Sequence, residues 1–217
     1  MLNDLLVGRH PADLRFLDQR LRLRGTSLAA IVPTLTSNPA HLSALRICAE
    51  MTRPDSTVPV DQHLVGQDLE NIITLLKLTP VPVQRLFDMV LRRSDLHLAQ
   101  LNLCYRLKMG KELDEDIRLN MGITDGMARK VLVHAIRTAS NMVYRDVMCL
   151  RDAFGSFSGS NERLAIRITR LHWQRNYWRH VQGQFMGIVQ KRLIEKVNGK
   201  SGLLRDVLAA MCEVERV

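Results

Sequence analysis

The sequence has few aromatic residues, no long apolar run and no closely spaced cysteines. Aromatic residues make up 5% of the 217 residues, although 46% of all residues are hydrophobic. This composition favours packed helices over a sheet. No stretch of about eighteen uncharged apolar residues occurs, so we expect no transmembrane span. The N-terminal residues 1–4 also lack the basic and apolar regions that form a secretory signal.

The sequence also has few features of a metal site or an active site. The four cysteines stand far apart, which predicts reduced core residues of a cytosolic protein: Cys48, Cys104, Cys149 and Cys212. We find no glycine-rich phosphate loop, no Ser/His/Asp set and no Cys/His pair with a plausible catalytic role. The sequence therefore predicts a protein that is not an enzyme.

Acidic residues are scarce in one part of the chain. The net charge is +9, from 31 basic and 22 acidic residues. Between residues 163 and 205 the only acid is Glu195, and the basic residues there are Arg163, Arg167, Arg170, Arg175, Arg179, Lys191, Arg192, Lys196, Lys200 and Arg205. These ten against one acid give +9, which leaves 21 basic and 21 acidic residues elsewhere. Such a segment indicates an anionic partner, either acidic lipid or nucleic acid.

The clearest helix in the sequence follows Arg93. Ser94 and Asp95 can accept hydrogen bonds from the free amides of a helix start. An apolar stripe then recurs at three- and four-residue spacing, at Leu98, Leu101, Cys104, Tyr105 and Met109. Gly110 can adopt the left-handed conformation that ends a helix.

A short second helix follows Gly110. Leu113 and Ile117 stand four residues apart and predict its buried side. The three carboxylates between them, residues 114–116, are expected to face solvent, where the helix dipole favours them.

Three segments of the chain repeat the order helix, helix, turn, short helix, loop, helix. An arginine marks the first junction of each segment, at Arg9, Arg93 and Arg170. The short helix then opens at Leu28, Leu113 and Leu193, its second apolar residue is Val32, Ile117 and Val197, and the loop after it contains Ser37, Gly122 and Gly202. Units of this size bury their apolar faces mainly against neighbouring units. We predict an all-α fold built from a stack of five-helix repeats.

The repeats resemble those of the annexin family. Family repeats combine an apolar-Arg-Ser-Asn/Asp junction with a later Gly-Lys-x-Leu-x-x-x-Ile segment. Leu91–Asp95 and Gly110–Ile117 match both patterns, while Leu6–Arg9 and Gly25–Leu28 match in part. The junction Arg170–Trp173 and the longer third helix of the last unit resemble the final repeat of fungal annexins.

The resemblance covers the whole chain and implies three annexin-like repeats. They occupy residues 1–52, 60–138 and 139–217, and the first is incomplete because it begins at the end of a helix. The resemblance further implies a cytoplasmic protein that binds peripherally to acidic phospholipid membranes. In the family this binding depends on calcium.

The calcium ligands of the family are largely missing from this sequence. Family repeats bind calcium with carbonyl oxygens of a Gly-x-Gly-Thr loop and with an acidic side chain, since calcium prefers oxygen ligands. The acidic position falls on Thr34, Leu119 and Gly199, none of which has a carboxylate. Leu78–Val81 replaces the glycine loop of the second repeat, and only Ser158–Ser160 remains of it in the third.

Seven residues are therefore the candidate site residues implied by the resemblance. The loop carbonyls that could still bind calcium weakly are those of Gly155, Gly159 and Ser160. The side chains expected near the membrane are Lys77, Phe157, Lys200 and Arg205. We hypothesise that direct contacts from lysine and arginine replace part of the calcium bridge.

Two alternatives stay open. Residues 173–179 mix bases and aromatics as nucleic-acid binders do, so a helical scaffold or nucleic-acid-binding protein could use the surface of residues 163–205. The incomplete first repeat would leave Leu5, Leu6 and Val7 without partners. Self-association or another protein could cover this open repeat.

Overall fold

The computed structural model describes residues 2–122, 126–155, 160–200 and 203–213, and it contains only helices and their connections there. The helices of these residues are α1 (Leu2–Leu6), α2 (Pro11–Arg22), α3 (Leu28–Leu35), α4 (Pro39–Ala49), α5 (Gln62–Leu76), α6 (Val83–Leu91), α7 (Asp95–Met109), α8 (Leu113–Asn120), α9 (Gly126–Ser140), α10 (Met142–Gly155), α11 (Ser160–His172), α12 (Arg175–Val189), α13 (Leu193–Asn198) and α14 (Leu203–Cys212). The all-α prediction is confirmed. Within these residues we find no helix with the length and apolar character of a membrane span.

The helices form two compact units, Met1–Ser140 and Asn141–Val217. Unit 1 contains a group of four helices, α1–α4, and a group of five, α5–α9. Unit 2 contains the five helices α10–α14. This order agrees with five-helix repeats after an incomplete first one, while the repeat boundaries at residues 52, 60 and 138 stay predictions.

Helix α7 begins and ends where the sequence predicts. The Ser94 side chain accepts a hydrogen bond from the His97 amide at 3.2 Å. Gly110 ends the helix with φ of 71°, in the left-handed region that costs a glycine little. Leu98, Leu101 and Tyr105 of the predicted stripe are buried.

The short helix before the last helix of each group buries the same two positions. Its opening leucine is at most 3% exposed, and its aliphatic residue four positions later is 0% exposed. These residues are Leu28 and Val32 in α3, Leu113 and Ile117 in α8, and Leu193 and Val197 in α13. The four-residue spacing therefore identified the buried side correctly.

The carboxylates of α8 do not all face solvent, so that prediction was wrong. Glu115 is exposed, but Asp114 is buried and accepts a hydrogen bond from Arg137 of α9 at 2.7 Å. An arginine contributed by another helix makes the burial of this carboxylate tolerable. The spacing within α8 contains no signal for such a partner.

Asp116 is buried in a second polar network of unit 1. It accepts hydrogen bonds from the Tyr105 hydroxyl, from Lys111 at 2.6 Å and from Asn120 at 2.6 Å. Burial raises the pKa of Asp116, but the hydrogen bonds from Lys111 and Tyr105 outweigh it and hold that pKa below its ordinary value. Asp116 is thus a structural anion of the fold.

The three junction arginines each bind the first helix of their own group. Arg9 donates to the Asp4 carbonyl at 2.7 Å, Arg93 to the Asp68 carboxylate at 2.6 Å, and Arg170 to the Asp146 carboxylate at 3.5 Å. Asp68 and Asp146 are both buried on α5 and α10 respectively. In both five-helix groups the arginine that marks the repeat therefore binds a buried carboxylate of the first helix, whereas Arg9 binds a backbone carbonyl.

The N-terminal apolar residues are not without partners, contrary to expectation. Leu6 and Val7 are buried in the core of unit 1, and only Leu5 is exposed. Of the four cysteines, Cys212 is buried in the core of unit 2, and Cys48 is half-buried against the core of unit 1. Burial raises the pKa of both thiols to about 12. Both therefore stay protonated thiols, which are poor metal ligands.

Candidate functional site

Three helices of unit 1 run parallel to one another. Helices α4, α6 and α9 pack together in pairs. Ile47, Val90 and Ala135, from their C-terminal halves, line one small cavity. A hydrogen bond of 2.5 Å from Ser43 to Gln84 joins the N-terminal halves of α4 and α6. The three helices therefore begin at the same end of unit 1.

The connections that precede these helices lie at that shared end. They are residues 36–38 before α4, residues 77–82 before α6, and the connection before α9, which the structure describes at residues 121–122. We call this surface the loop end of unit 1 and define it as residues 34–38, 77–82 and 118–122. The sequence pointed to these loops singly but did not show that they meet.

The described residues of the loop end are basic and include no carboxylate, while Asp125, on the connection before α9, lies outside the described residues. The cations of the loop end, Lys77 and Arg118, are exposed, and within the described residues neither side chain has an ion pair or hydrogen bond. The part of the loop end near α9 is fixed by Arg129, which donates to the Met121 carbonyl at 3.2 Å. Lys77 was predicted from the sequence as a lipid contact, whereas Arg118 was not.

The loop end also exposes leucines. Leu35 is 36% exposed, Leu78 46% and Leu119 71%. Sequence reasoning did not select them as contacts, although α8 contains a signal for Leu119. It follows the buried Ile117 by two residues, which is about 200° around a helix. The phase of the short helix therefore directs Leu119 away from the core.

Unit 2 has a corresponding arrangement. Helices α11 and α14 pack together, and the Met211 carbonyl near the end of α14 lies 3.0 Å from Nδ1 of His172 at the end of α11. Helices α11 and α14 consequently begin at the same end of unit 2, opposite to this contact. There the Lys200 ammonium lies 5.9 Å from the ring centroid of Phe154, beside the exposed Gly155.

The remaining predicted residues of unit 2 are only partly described. Arg205 is half-buried and pairs with Asp206 through hydrogen bonds of 2.8 and 2.5 Å. Phe157 and Gly159 lie outside the described residues, and Ser160 is described only as the first residue of α11. The structure thus brings together Lys200 and the loop start at Gly155.

The residues at the family's calcium positions do not fit that ion. The Thr34 hydroxyl donates to the Ile31 carbonyl at 2.8 Å, the side chain of Leu119 has no oxygen, and Gly199 has no side chain. Around Gly155, no three acidic, histidine or cysteine side chains of the described part of unit 2 converge. Calcium prefers several oxygens with negative charge, and these positions do not supply them.

The basic segment of unit 2 is partly neutralised and has few exposed rings. Arg192 pairs with Glu195 at 2.7 Å, in addition to the pairs of Arg170 and Arg205 already described. Trp178 is buried and donates to the Met211 carbonyl at 3.0 Å, whereas Trp173 is 75% exposed. Single-stranded nucleic acid usually stacks on several exposed rings, so this surface fits that partner poorly.

Because two histidines are buried, we expect the folded protein to lose stability in mild acid. Burial lowers the pKa of His41 and of His97, the latter despite its contact of 2.9 Å with Asp68. Below the unfolded pKa of about 6.5 the unfolded chain binds more protons than the folded chain. The contribution of these histidines to the free energy of unfolding should therefore be fully present above about pH 6.5. It should fall as the pH drops toward their folded pKa values.

Urea denaturation between pH 7.5 and 5 measures this effect. We expect a slope of at most about 1.4 kcal/mol per pH unit for each histidine. The variant His97→Gln should have a shallower slope than the wild type. An unchanged slope would show that His97 does not bind a proton on unfolding.

Comparison with known proteins supports the fold. No family sequence model and no curated protein sequence matches the chain. Solved structures do match: annexin III (TM-score 0.74, 17% identity, 97% of this chain), chicken annexin V (0.78, 18%, 98%) and calcium-bound alpha-14 giardin (0.77, 16%, 98%). The chain spans 64%, 66% and 69% of these three proteins. The protein has an annexin-like fold.

Proposed function

We propose that the protein binds peripherally to acidic phospholipid membranes on the cytoplasmic side. The observation that carries this proposal is the loop end, where Lys77 and Arg118 are exposed and have no ion pair within the described residues, and where residues 34–38, 77–82 and 118–122 include no carboxylate. Each cation near an anionic membrane surface contributes about 1 kcal/mol. Two half-buried cations of unit 2, Lys200 beside Phe154 and Arg205 paired with Asp206, are the further lipid contacts that we propose. The proposal contains no catalytic step.

The proposed contacts do not require a calcium bridge. The neighbour alpha-14 giardin was solved with calcium, but Thr34, Leu119 and Gly199 do not provide the acidic ligand. Weak calcium binding at the carbonyls of Gly155, Gly159 and Ser160 stays a separate prediction. Calcium would then strengthen binding without being necessary for it.

Vesicle sedimentation tests the proposal. We expect binding to vesicles of phosphatidylserine and phosphatidylcholine, no binding to phosphatidylcholine alone, and persistence of binding in EDTA. Lys77→Ser and Arg118→Ser should each weaken binding about fivefold, which corresponds to about 1 kcal/mol. Arg46→Ser is the matched control, because Arg46 is exposed on the C-terminal half of α4, away from the loop end.

Two results would contradict the proposal. Equal sedimentation with acidic and neutral vesicles would exclude recognition of anionic lipid. Binding that disappears completely in EDTA would exclude the calcium-independent contacts.

A nucleic-acid or scaffold function of residues 163–205 is the second candidate. The exposed Trp173 beside the exposed Arg175 and Arg179 favours it. The double variant Arg175→Glu/Arg179→Glu should reduce RNA binding if this surface is used, while leaving vesicle binding through the loop end intact.

A further inference from the structure

Two leucines of the loop end each follow an exposed cation directly. Leu78 follows Lys77 after the end of α5, and Leu119 follows Arg118 in the last turn of α8. A single exposed leucine is ordinary on a protein surface. Here, however, the apolar side chains stand beside unpaired cations on separate connections that share one end. That combination needs a partner that is both anionic and apolar.

We infer that Leu78 and Leu119 insert into the boundary between headgroups and acyl chains of an acidic bilayer, where they anchor the protein without calcium. This inference rests on the proposed function and adds the apolar half of the contact. Lys77 and Arg118 would stay among the lipid phosphates while the neighbouring leucines reach the acyl chains, as in other interfacial segments.

The geometry favours a bilayer over a protein partner. Leu78 and Leu119 belong to different connections and form neither a groove nor a continuous helix stripe, which are the usual docking surfaces for a folded partner or a peptide. A fluid bilayer accommodates separate protrusions. The residues that define the loop end include two exposed cations and no carboxylate, so their charge is complementary to an acidic membrane.

The position of Leu119 adds to this argument. It lies where the annexin resemblance would place the acidic calcium ligand. The side chain there is apolar and 71% exposed, although Ile117 two residues earlier is completely buried. An apolar contact with the membrane would thus replace a metal-bridged one at the same place in the repeat.

The double variant Leu78→Ser/Leu119→Ser tests the inference. We measure EDTA-resistant binding to vesicles of phosphatidylserine and phosphatidylcholine, and the rise in surface pressure when protein is injected beneath a monolayer of the same lipids. Each substitution should weaken binding about tenfold, equal to about 1.4 kcal/mol, and the pressure rise should disappear. The net charge is unchanged, so the loss would not come from electrostatics.

The matched control is Leu96→Ser/Leu107→Ser on α7. These leucines are 49% and 77% exposed, close to the 46% and 71% of Leu78 and Leu119. Leu96 follows the C-terminal end of α6, and Leu107 comes shortly before the start of α8, so both lie away from the loop end. The control should bind vesicles and penetrate monolayers as the wild type does.

The outcomes separate the inference from the proposed function. If the double variant and the wild type bind and penetrate equally, the inference is wrong while acidic-lipid binding stands. If the control loses as much as the loop-end variant, insertion is not specific to Leu78 and Leu119, and the inference is again wrong. If the wild type does not bind acidic vesicles, the proposed function is wrong, and the inference that rests on it is wrong as well.

Discussion

Replacing Asp146 with alanine is expected to lower the free energy of unfolding of unit 2 by about 3–5 kcal/mol. The carboxylate is buried and accepts hydrogen bonds from Arg145 at 2.9 Å, from the Tyr177 hydroxyl at 2.8 Å and from Arg170 at 3.5 Å. Removing it leaves two guanidinium groups and a hydroxyl without their shared acceptor. Taking a buried carboxylate away from partly buried guanidinium groups costs far more than the lost attraction alone.

Tryptophan fluorescence during urea denaturation measures this loss. Both tryptophans, Trp173 and Trp178, belong to unit 2, so their signal follows this unit. Asp152→Ala is the matched control, because Asp152 is exposed and pairs with Arg151 only at 3.3 Å. Such a surface pair contributes about 0–1 kcal/mol. Equal losses for the two variants would disprove the structural role of Asp146.

Asp68 has the same structural role in unit 1 as Asp146 has in unit 2. It is buried, accepts from Arg93 at 2.6 and 3.1 Å, and contacts His97 at 2.9 Å. The repeat therefore keeps an acid on its first helix and an arginine at its first junction in both units. The cost of burying these charges is met by multiple hydrogen bonds.

Features that depend on neighbouring residues could be predicted from the sequence. The cap at Ser94, the end at Gly110, and the buried pair Leu113 and Ile117 all follow from local hydrogen bonding and helical period. Three copies of the same pattern then indicated the annexin-like fold. Periodicity and repetition were enough, since each repeat uses the same local rules.

Features that depend on distant partners could not be predicted. Asp114 and Asp116 look like solvent-exposed carboxylates until Arg137 of another helix and the Tyr105 hydroxyl are placed beside them. The loop end was missed for the same reason. Its connections are separated by about 40 residues in sequence and meet only because α4, α6 and α9 pack in parallel.

Fold and ligand chemistry are separate in this protein. The annexin-like arrangement depends on buried apolar residues and on pairs such as Arg93 with Asp68. None of these belongs to the calcium positions at Thr34, Leu119 and Gly199. Substitution at those positions can therefore change the proposed membrane contact and leave the repeat intact, as expected when a site is carried by loops on a stable scaffold.

Replacing Ile117 with alanine should test this separation on a single helix. Ile117 is completely buried in α8, so its truncation leaves a cavity in unit 1 and should cost about 2–5 kcal/mol. Leu119→Ala, two residues later, changes an exposed side chain and should stay within about 0.5 kcal/mol of the wild type. Hydrogen exchange of the α8 and α9 amides in increasing urea measures both effects within unit 1.

The two variants should have opposite consequences for stability and for membrane binding. At temperatures where Ile117→Ala remains folded, it should bind acidic vesicles like the wild type, because its side chain is not on the surface. Leu119→Ala should keep wild-type exchange protection and bind more weakly. If Leu119→Ala instead lost protection as Ile117→Ala does, Leu119 would be a packing residue, and its role at the loop end would have to be abandoned.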